Sequence, residues 1–410
     1  MIVRIDKYLV NRYYNYERAF PRLGLLSANQ GRPIFLFSER RFDLKEEKRI
    51  LQKHVKEINK PFRKYDVQNY DELSVQGDSF PVNQLHKDLK IKDNRQPKEA
   101  MMNSSLPNQL RNNGISINLK EEELLEELLP YINYYRLSVF RLFVEKDNKT
   151  FTRMYEIYEF DNYLREQIWS LLVTIEIAIK TTLAYSVSLK YKNDFHEEIN
   201  NGEKFEALCY IDPRIYKSKS RKNLPAMLSS YASMMLDKQD KDPSIKHHVE
   251  YYSGNIPFWV IVEHLTMGNV VTFLYHLNRS YRKNWVRSSG FSINDDWIIP
   301  WVETIQFLRN TCAHTARIYG RRFNYNPHIS DSIEQNIQPS HDEYSLQQLK
   351  HTLFAALCVI KEFYITFPQN EQKTWNNFLD NLNTRITNSN INLYYMGFPD
   401  NWFELLIIND

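Results

Sequence analysis

Apolar residues return every three or four positions between Trp297 and Arg322. Ile298, Trp301, Ile305, Leu308, Cys312, Ala316 and Tyr319 form one stripe, the period of a helix with a single buried face. The spacing predicts one helix over 297–322. At about 100° per residue, Asn310, His314 and Arg317 fall on the opposite, polar side, and Arg309 projects from the boundary with a stem long enough to reach round. A second long helix is predicted from about Met154 to Leu189, where Tyr158, Asp161, Leu164, Arg165, Leu172, Glu176, Ile179 and Leu183 keep helical spacing. Within it Glu176 and Lys180 form an i,i+4 pair, read as structural.

Shorter helices follow from the same pattern. Leu119 opens one with an acidic first turn at Glu121–Glu123. Residues 256–263 open another, with Pro257 in the first turn and Gly268 as the stop. Val270 to about Arg282 is a further helix, and Ser345–Phe367 one more, closing before Pro368. Residues 105–367 are thus expected to form one helical domain, in which 193–255 is a charged, irregular connector. Residues 368–410 read as a mixed tail whose Tyr394, Tyr395, Phe398 and Trp402 dock on the body. The first 104 residues are an extension of unclear fold. They hold a strand-like run at Pro33–Phe37, a charged helix from about Leu44 to Glu57, and a polar stretch dotted with prolines from Lys60.

Composition sharpens the fold class to all-α. Only 10 glycines occur in 410 residues, and long runs free of Gly and Pro favour helices over hairpins or phosphate-cradling loops; no GxGxxG or Walker-type loop is present. With 42% hydrophobic and 25% charged residues the chain reads as an ordinary soluble globular protein. A net charge of +3 does not by itself imply nucleic acid, so any basic footprint is local. Three clusters supply one: Arg214–Lys222, which contains Lys217, Lys219 and Arg221; Arg279–Arg287, which contains Arg282; and Arg317–Arg322, which contains Arg321 and Arg322. Cys209, Cys312 and Cys358 have no zinc or disulfide spacing, so neither a disulfide framework nor a structural metal is indicated, and a reducing cytoplasm fits; no cofactor is expected. The start of the chain lacks the apolar core of a signal peptide. The apolar span Ile168–Val187 is interrupted by Glu176 and Lys180, so no membrane association is expected.

The chemistry concentrates in Arg309-Asn310-x3-His314. A histidine near neutral pKa transfers protons, and an arginine holds and neutralises a phosphate through paired donors, which suits attack on a phosphodiester. RNA brings its own nucleophile, the 2′-hydroxyl, so positioning, charge stabilisation and proton transfer suffice. The spacing alone is weak: Arg49 and His54 repeat it, and Arg322 to His328 fits a looser form broken by Pro327. The adjoining Asn310, the small Ala313 and the strongly periodic helix single out the first. The bland alternative is a satisfied polar helix face.

Several blocks together carry a resemblance: INYYRLS at 132–138, YEFDNYLR at 158–165, IEIAIK at 175–180, IPFWVIVEHLTMGNV at 256–270, and FLRNTCAH followed by Arg317. Over roughly residues 105–325 the chain resembles the Abi-like (AbiD/AbiF) abortive-infection family of the HEPN superfamily. The resemblance implies a HEPN-type helical bundle and a metal-independent endoribonuclease acting as a toxin in phage defence, in some relatives held in check by a small RNA. It also implies a homodimer with a composite site, catalytic positions at Arg309, Asn310 and His314, and a trailing basic residue at Arg317. RNA is the expected partner; DNA is not. The chain departs from the family where a second histidine commonly follows the motif histidine, here Thr315, and where Leu-Trp-Asn is usual, here Ile318-Tyr319-Gly320. The alternative function is a non-catalytic module that binds RNA or a protein partner.

Overall fold

The computed structural model describes residues 102–291, 295–337 and 346–409. The expected strand at Pro33–Phe37, the helix at Leu44–Glu57 and nearly all of the N-terminal extension lie outside the described residues. Among those described, every regular element is a helix, as the scarcity of glycine and the 3.6-residue period require.

In chain order the first helices are α1 (Leu106–Asn112), α2 (Leu119–Leu128), α3 (Tyr134–Ser138) and α4 (Phe151–Asp194). Asn118 and Glu121 close a capping box on α2, and Thr150 caps α4 by accepting from the Arg153 amide at 3.2 Å. The 44-residue α4 runs beyond its predicted 154–189 at both ends, because no Gly or Pro interrupts 151–194. It is also long and apolar enough to cross a membrane. Here it is the helix around which the others pack: Ile157, Leu164, Ile168, Leu172, Ile175, Ile179, Leu183 and Val187 are buried against its neighbours.

The stretch read as an irregular connector is largely ordered into helices, a correction to the pattern-based reading. It contains α5 (His196–Asn200), α6 (Leu224–Lys238) and α7 (Pro243–Tyr251), with short 3-10 turns between. Charge had masked the apolar anchors Cys209, Ile215, Leu224, Tyr231 and Ile245, all buried. Asp212, also buried, accepts from Tyr191 and Lys204, each at 2.7 Å, and from Arg214, which folds this segment back onto α4.

α8 (Phe258–His264) follows, with Pro257 at its cap rather than inside its first turn. Gly268 is not a stop: α9 (Met267–His276) begins around it, after Thr266 accepts the Asn269 amide at 3.2 Å. The single helix expected over Val270–Arg282 is two, α9 and α10 (Arg279–Ser288). They are divided where Leu277 turns extended and bridges antiparallel to Tyr216. Next are α11 (Ile298–Ala313), α12 (Asp331–Glu334), α13 (Leu346–Leu349), α14 (Leu353–Tyr364), α15 (Gln369–Asn388) and α16 (Trp402–Leu406).

Helices α8, α10, α11 and α14 all lie on α4. In α14 the eight residues from Leu353 to Ile360 are all buried, the all-round apolar surface of a central helix. Each large aliphatic side chain there contributes roughly 1.5–3 kcal/mol relative to exposure. A polar seam fixes α10 on α4, with Trp285 Nε1 donating to Thr182 Oγ1 at 2.9 Å and Asn284 Nδ2 to Ser186 Oγ at 3.0 Å. Residues 369–388, read as part of a mixed tail, form an amphipathic helix that buries Trp375, Phe378, Leu379, Leu382 and Ile386. The segment after it is held by the α4 N-terminus, where Arg153 donates to the Ser389 and Asn390 carbonyls at 2.7 and 2.6 Å.

Candidate active site at the end of α11

Leu308 and Cys312 face the core, as their spacing predicts, which turns Arg309 and Asn310 to the half-exposed side of α11. The helix ends earlier than the apolar stripe suggests. Ala313 is its last residue and His314 its C-cap; Thr315 adopts a left-handed conformation at φ 51°. The Thr315 amide donates to the Cys312 carbonyl and the Ala316 amide to the Thr311 carbonyl, both at 2.9 Å. These two bonds are the Schellman pattern, with a threonine where glycine is usual. Arg317 therefore does not share a helical face with Asn310 and His314, contrary to the 297–322 helix. The periodicity of Ala316 and Tyr319 continued by coincidence past a backbone reversal.

A buried carboxylate holds the reversal in place. Asp161 on α4 accepts the Ile318 and Tyr319 amides through one oxygen at 2.8 and 2.7 Å, and pairs with Arg165 through the other. Burial pushes the Asp161 carboxyl above the usual carboxylate range, while the two amides and Arg165 pull the other way. Gly320 follows at φ 64°, closely covered by the Phe143 ring. That ring also stacks edge-on against Tyr319 and Tyr395, at centroid separations of 5.3 and 5.1 Å.

The Arg309 guanidinium is held by a second acid of α4. Its Nε donates to Glu176 at 3.1 Å, its Nη1 reaches the Asn310 carboxamide oxygen at 3.4 Å, and its carbon lies 5.2 Å from the Trp169 ring centre. Glu176 in turn pairs with Lys180 at 2.8 Å, the pair expected from the sequence. The chain Lys180–Glu176–Arg309–Asn310 fixes the arginine's direction at a partly wet surface, where a bidentate anion still finds free N–H groups. His314 is exposed, and among the described residues no protein group hydrogen-bonds its imidazole.

The remaining basic residues divide. Arg317 is half-buried, donating to the Tyr319 carbonyl, with its guanidinium 4.9 Å from the Phe143 ring centre, and burial depresses its pKa. Arg321 lies over Phe307, and Arg322 donates to the Gln348 carbonyl at 3.0 Å. Lys217, Lys219 and Arg282 come from two separate basic segments and are drawn together by the bridge between Tyr216 and Leu277. Lys217 donates to the Tyr275 carbonyl at 2.7 Å; burial, then Arg282 and Lys219, lowers its pKa. Arg221 donates to the Pro213 carbonyl at 3.1 Å.

Residues 127–320 match the family model described as Abi-like protein. The matched segment ends on Gly320, so it takes in α3, the whole of α4, α11 and the reversal beyond His314. Neither a curated protein nor a solved structure matches the chain. Two residues of the Abi-like segment that motif reading did not place in the site, Asp161 and Glu176, orient it from α4. Their signal was in the sequence: each is an acid set among the apolar positions of a long helix, where an unpaired charge is costly.

Proposed function

We propose that the protein is a metal-independent endoribonuclease of the HEPN type, acting in the cytoplasm as a toxin of abortive infection. The match to Abi-like proteins supports the defence role. The observation that carries the catalytic reading is the exposed imidazole of His314 at the C-cap of α11, one turn beyond Arg309 and Asn310, whose guanidinium and carboxamide are linked to each other and, through Arg309, to Glu176.

In this reading Arg309 binds the scissile phosphate and the charge it gains, and Asn310 orients the phosphate or the histidine. The RNA 2′-oxygen attacks phosphorus and the bond to the 5′-oxygen breaks, leaving a 2′,3′-cyclic phosphate and a 5′-hydroxyl. One proton leaves the 2′-oxygen and one reaches the 5′-oxygen. His314 makes one transfer, and the same histidine of a second copy, across a homodimer, makes the other. Lys217, Lys219, Arg221, Arg282, Arg321 and Arg322 contribute phosphate contacts along the RNA, and a small non-coding RNA on the same surfaces restrains the enzyme.

The test is a comparison of the purified chain with its His314→Ala variant on several RNAs in EDTA. Cleavage falling at least about 100-fold in the variant is expected, as for loss of a general acid or base. Growth arrest on expression should disappear with it. Equal inactivity of both chains, with growth unaffected, contradicts the proposal.

A further inference from the structure

Besides Arg321, whose Nη1 reaches Thr311 Oγ1 at 3.5 Å, three arginines approach the end of α11, and two of them already rest on protein groups. Arg309 lies on Glu176, and Arg317 is half-buried on the Tyr319 carbonyl and the Phe143 ring. The third comes from elsewhere in the chain. Arg136, on α3, donates through Nη2 to Thr315 Oγ1 at 2.7 Å, across a sequence separation of 179 residues. Thr315 is the residue after His314, so this guanidinium is anchored one residue from the proposed proton-transfer group.

Arg136 is exposed, and among the described residues no carboxylate is paired with it. Only one of its five N–H donors is used on Thr315, which leaves an exposed fork that fits phosphate oxygens. Its docking partner occupies an unfavourable backbone state. A β-branched residue at φ 51° costs on the order of 1–3 kcal/mol, and such strain concentrates where function needs it. The preceding residue on α3, Tyr135, is 65% exposed, and its amide donates to the Asn133 side chain at 2.9 Å. Its ring meets Tyr134 in a T-shaped contact at a centroid separation of 5.4 Å and is otherwise open to water, so it can offer a stacking surface to an unpaired base.

We propose that Arg136 is the substrate-binding cation beside His314. It holds the phosphate of the nucleotide flanking the scissile bond, and Tyr135 stacks on that nucleotide's base. The inference rests on RNA being the substrate, but not on which group moves the protons. It gives single-stranded RNA, with bases free to stack, as the substrate class. It also gives Arg136, in place of Arg317, the role of second cation at the site.

The experiment measures binding of a fluorescein-labelled single-stranded RNA by anisotropy across a salt series, in a His314→Ala background that leaves the RNA intact. Arg136→Ala is expected to weaken binding about tenfold and to shrink the slope of log K against log salt by about 0.7, one phosphate contact on a single strand. Arg136→Lys should restore most of the slope, which a packing role would not do. Tyr135→Ala should weaken binding about tenfold with the slope unchanged. Unchanged affinity and slope in Arg136→Ala, with its melting temperature also unchanged, overturns the inference even if the wild-type chain cleaves RNA. An Arg136-dependent slope in a chain that cleaves no RNA leaves the inference standing and removes the nuclease. Absence of RNA binding by the His314→Ala chain overturns the inference.

Discussion

Gly320 shows how little room the site's framework leaves. At φ 64° it adopts a conformation that costs an L-residue about 1–2 kcal/mol, and a Cβ there would lie 2.2 Å from Phe143 Cε1. Gly290, at φ 72°, has nothing within 4 Å of the same added atom. Urea denaturation separates the two effects. Gly290→Ala is expected to cost about 1 kcal/mol, the backbone term alone. Gly320→Ala is expected to cost about 3 kcal/mol or more, because the Phe143 ring must also leave its place against Tyr319 and Arg317. Equal losses at the two glycines would show that the ring yields freely. The residues proposed to carry the chemistry, Arg309, Asn310 and His314, stand out in the sequence through residue type and spacing. Gly320 and Thr315 stood out only as departures from a family pattern. Their roles depend on backbone angles, which the order of apolar and polar residues does not encode.

Among the elements, α4 and α11 were read correctly in kind and wrongly in extent. Hydrophobic periodicity detects a helix wherever apolar residues keep their spacing, but it does not register a Schellman reversal when the residues beyond it happen to stay in phase. Ala316 and Tyr319 did so, and Arg317 was therefore assigned to a face it does not share. The same limitation merged α9 with α10, where Leu277 is buried in an extended conformation that apolar character alone cannot distinguish from helix. What binds the two helices of the site is Asp161, which accepts two amides of the α11 reversal and pairs with Arg165. Asp161→Ala strands those amides and an arginine, so it should destabilise by about 3–5 kcal/mol in urea unfolding. Asp161→Asn keeps one carbonyl acceptor for the amides and should lose less. A loss below about 1 kcal/mol in Asp161→Ala would show that packing alone fixes the reversal.

For the molecule as a whole, the long-range ties were the part least visible in the sequence. Arg153 at the start of α4 grips the carbonyls beyond α15, and Tyr319, just past the site, donates to the Asn392 carbonyl at 2.9 Å. The α4 start, the α11 reversal and the C-terminal segment are thus joined at one end of the central helix. No local pattern reports such closures, because each partner is an ordinary polar residue until the chain is folded. The proposed chemistry on this frame is that RNA is cut by its own 2′-hydroxyl, with protons moved by His314 and charge held by Arg309. The most direct measurement is the end chemistry of products formed by the wild-type chain in EDTA, resolved by mass spectrometry. Fragments with a 2′,3′-cyclic phosphate or its opened monophosphate at one end and a 5′-hydroxyl at the other are the predicted result. Products with a 5′-phosphate and a free 3′-hydroxyl would contradict it.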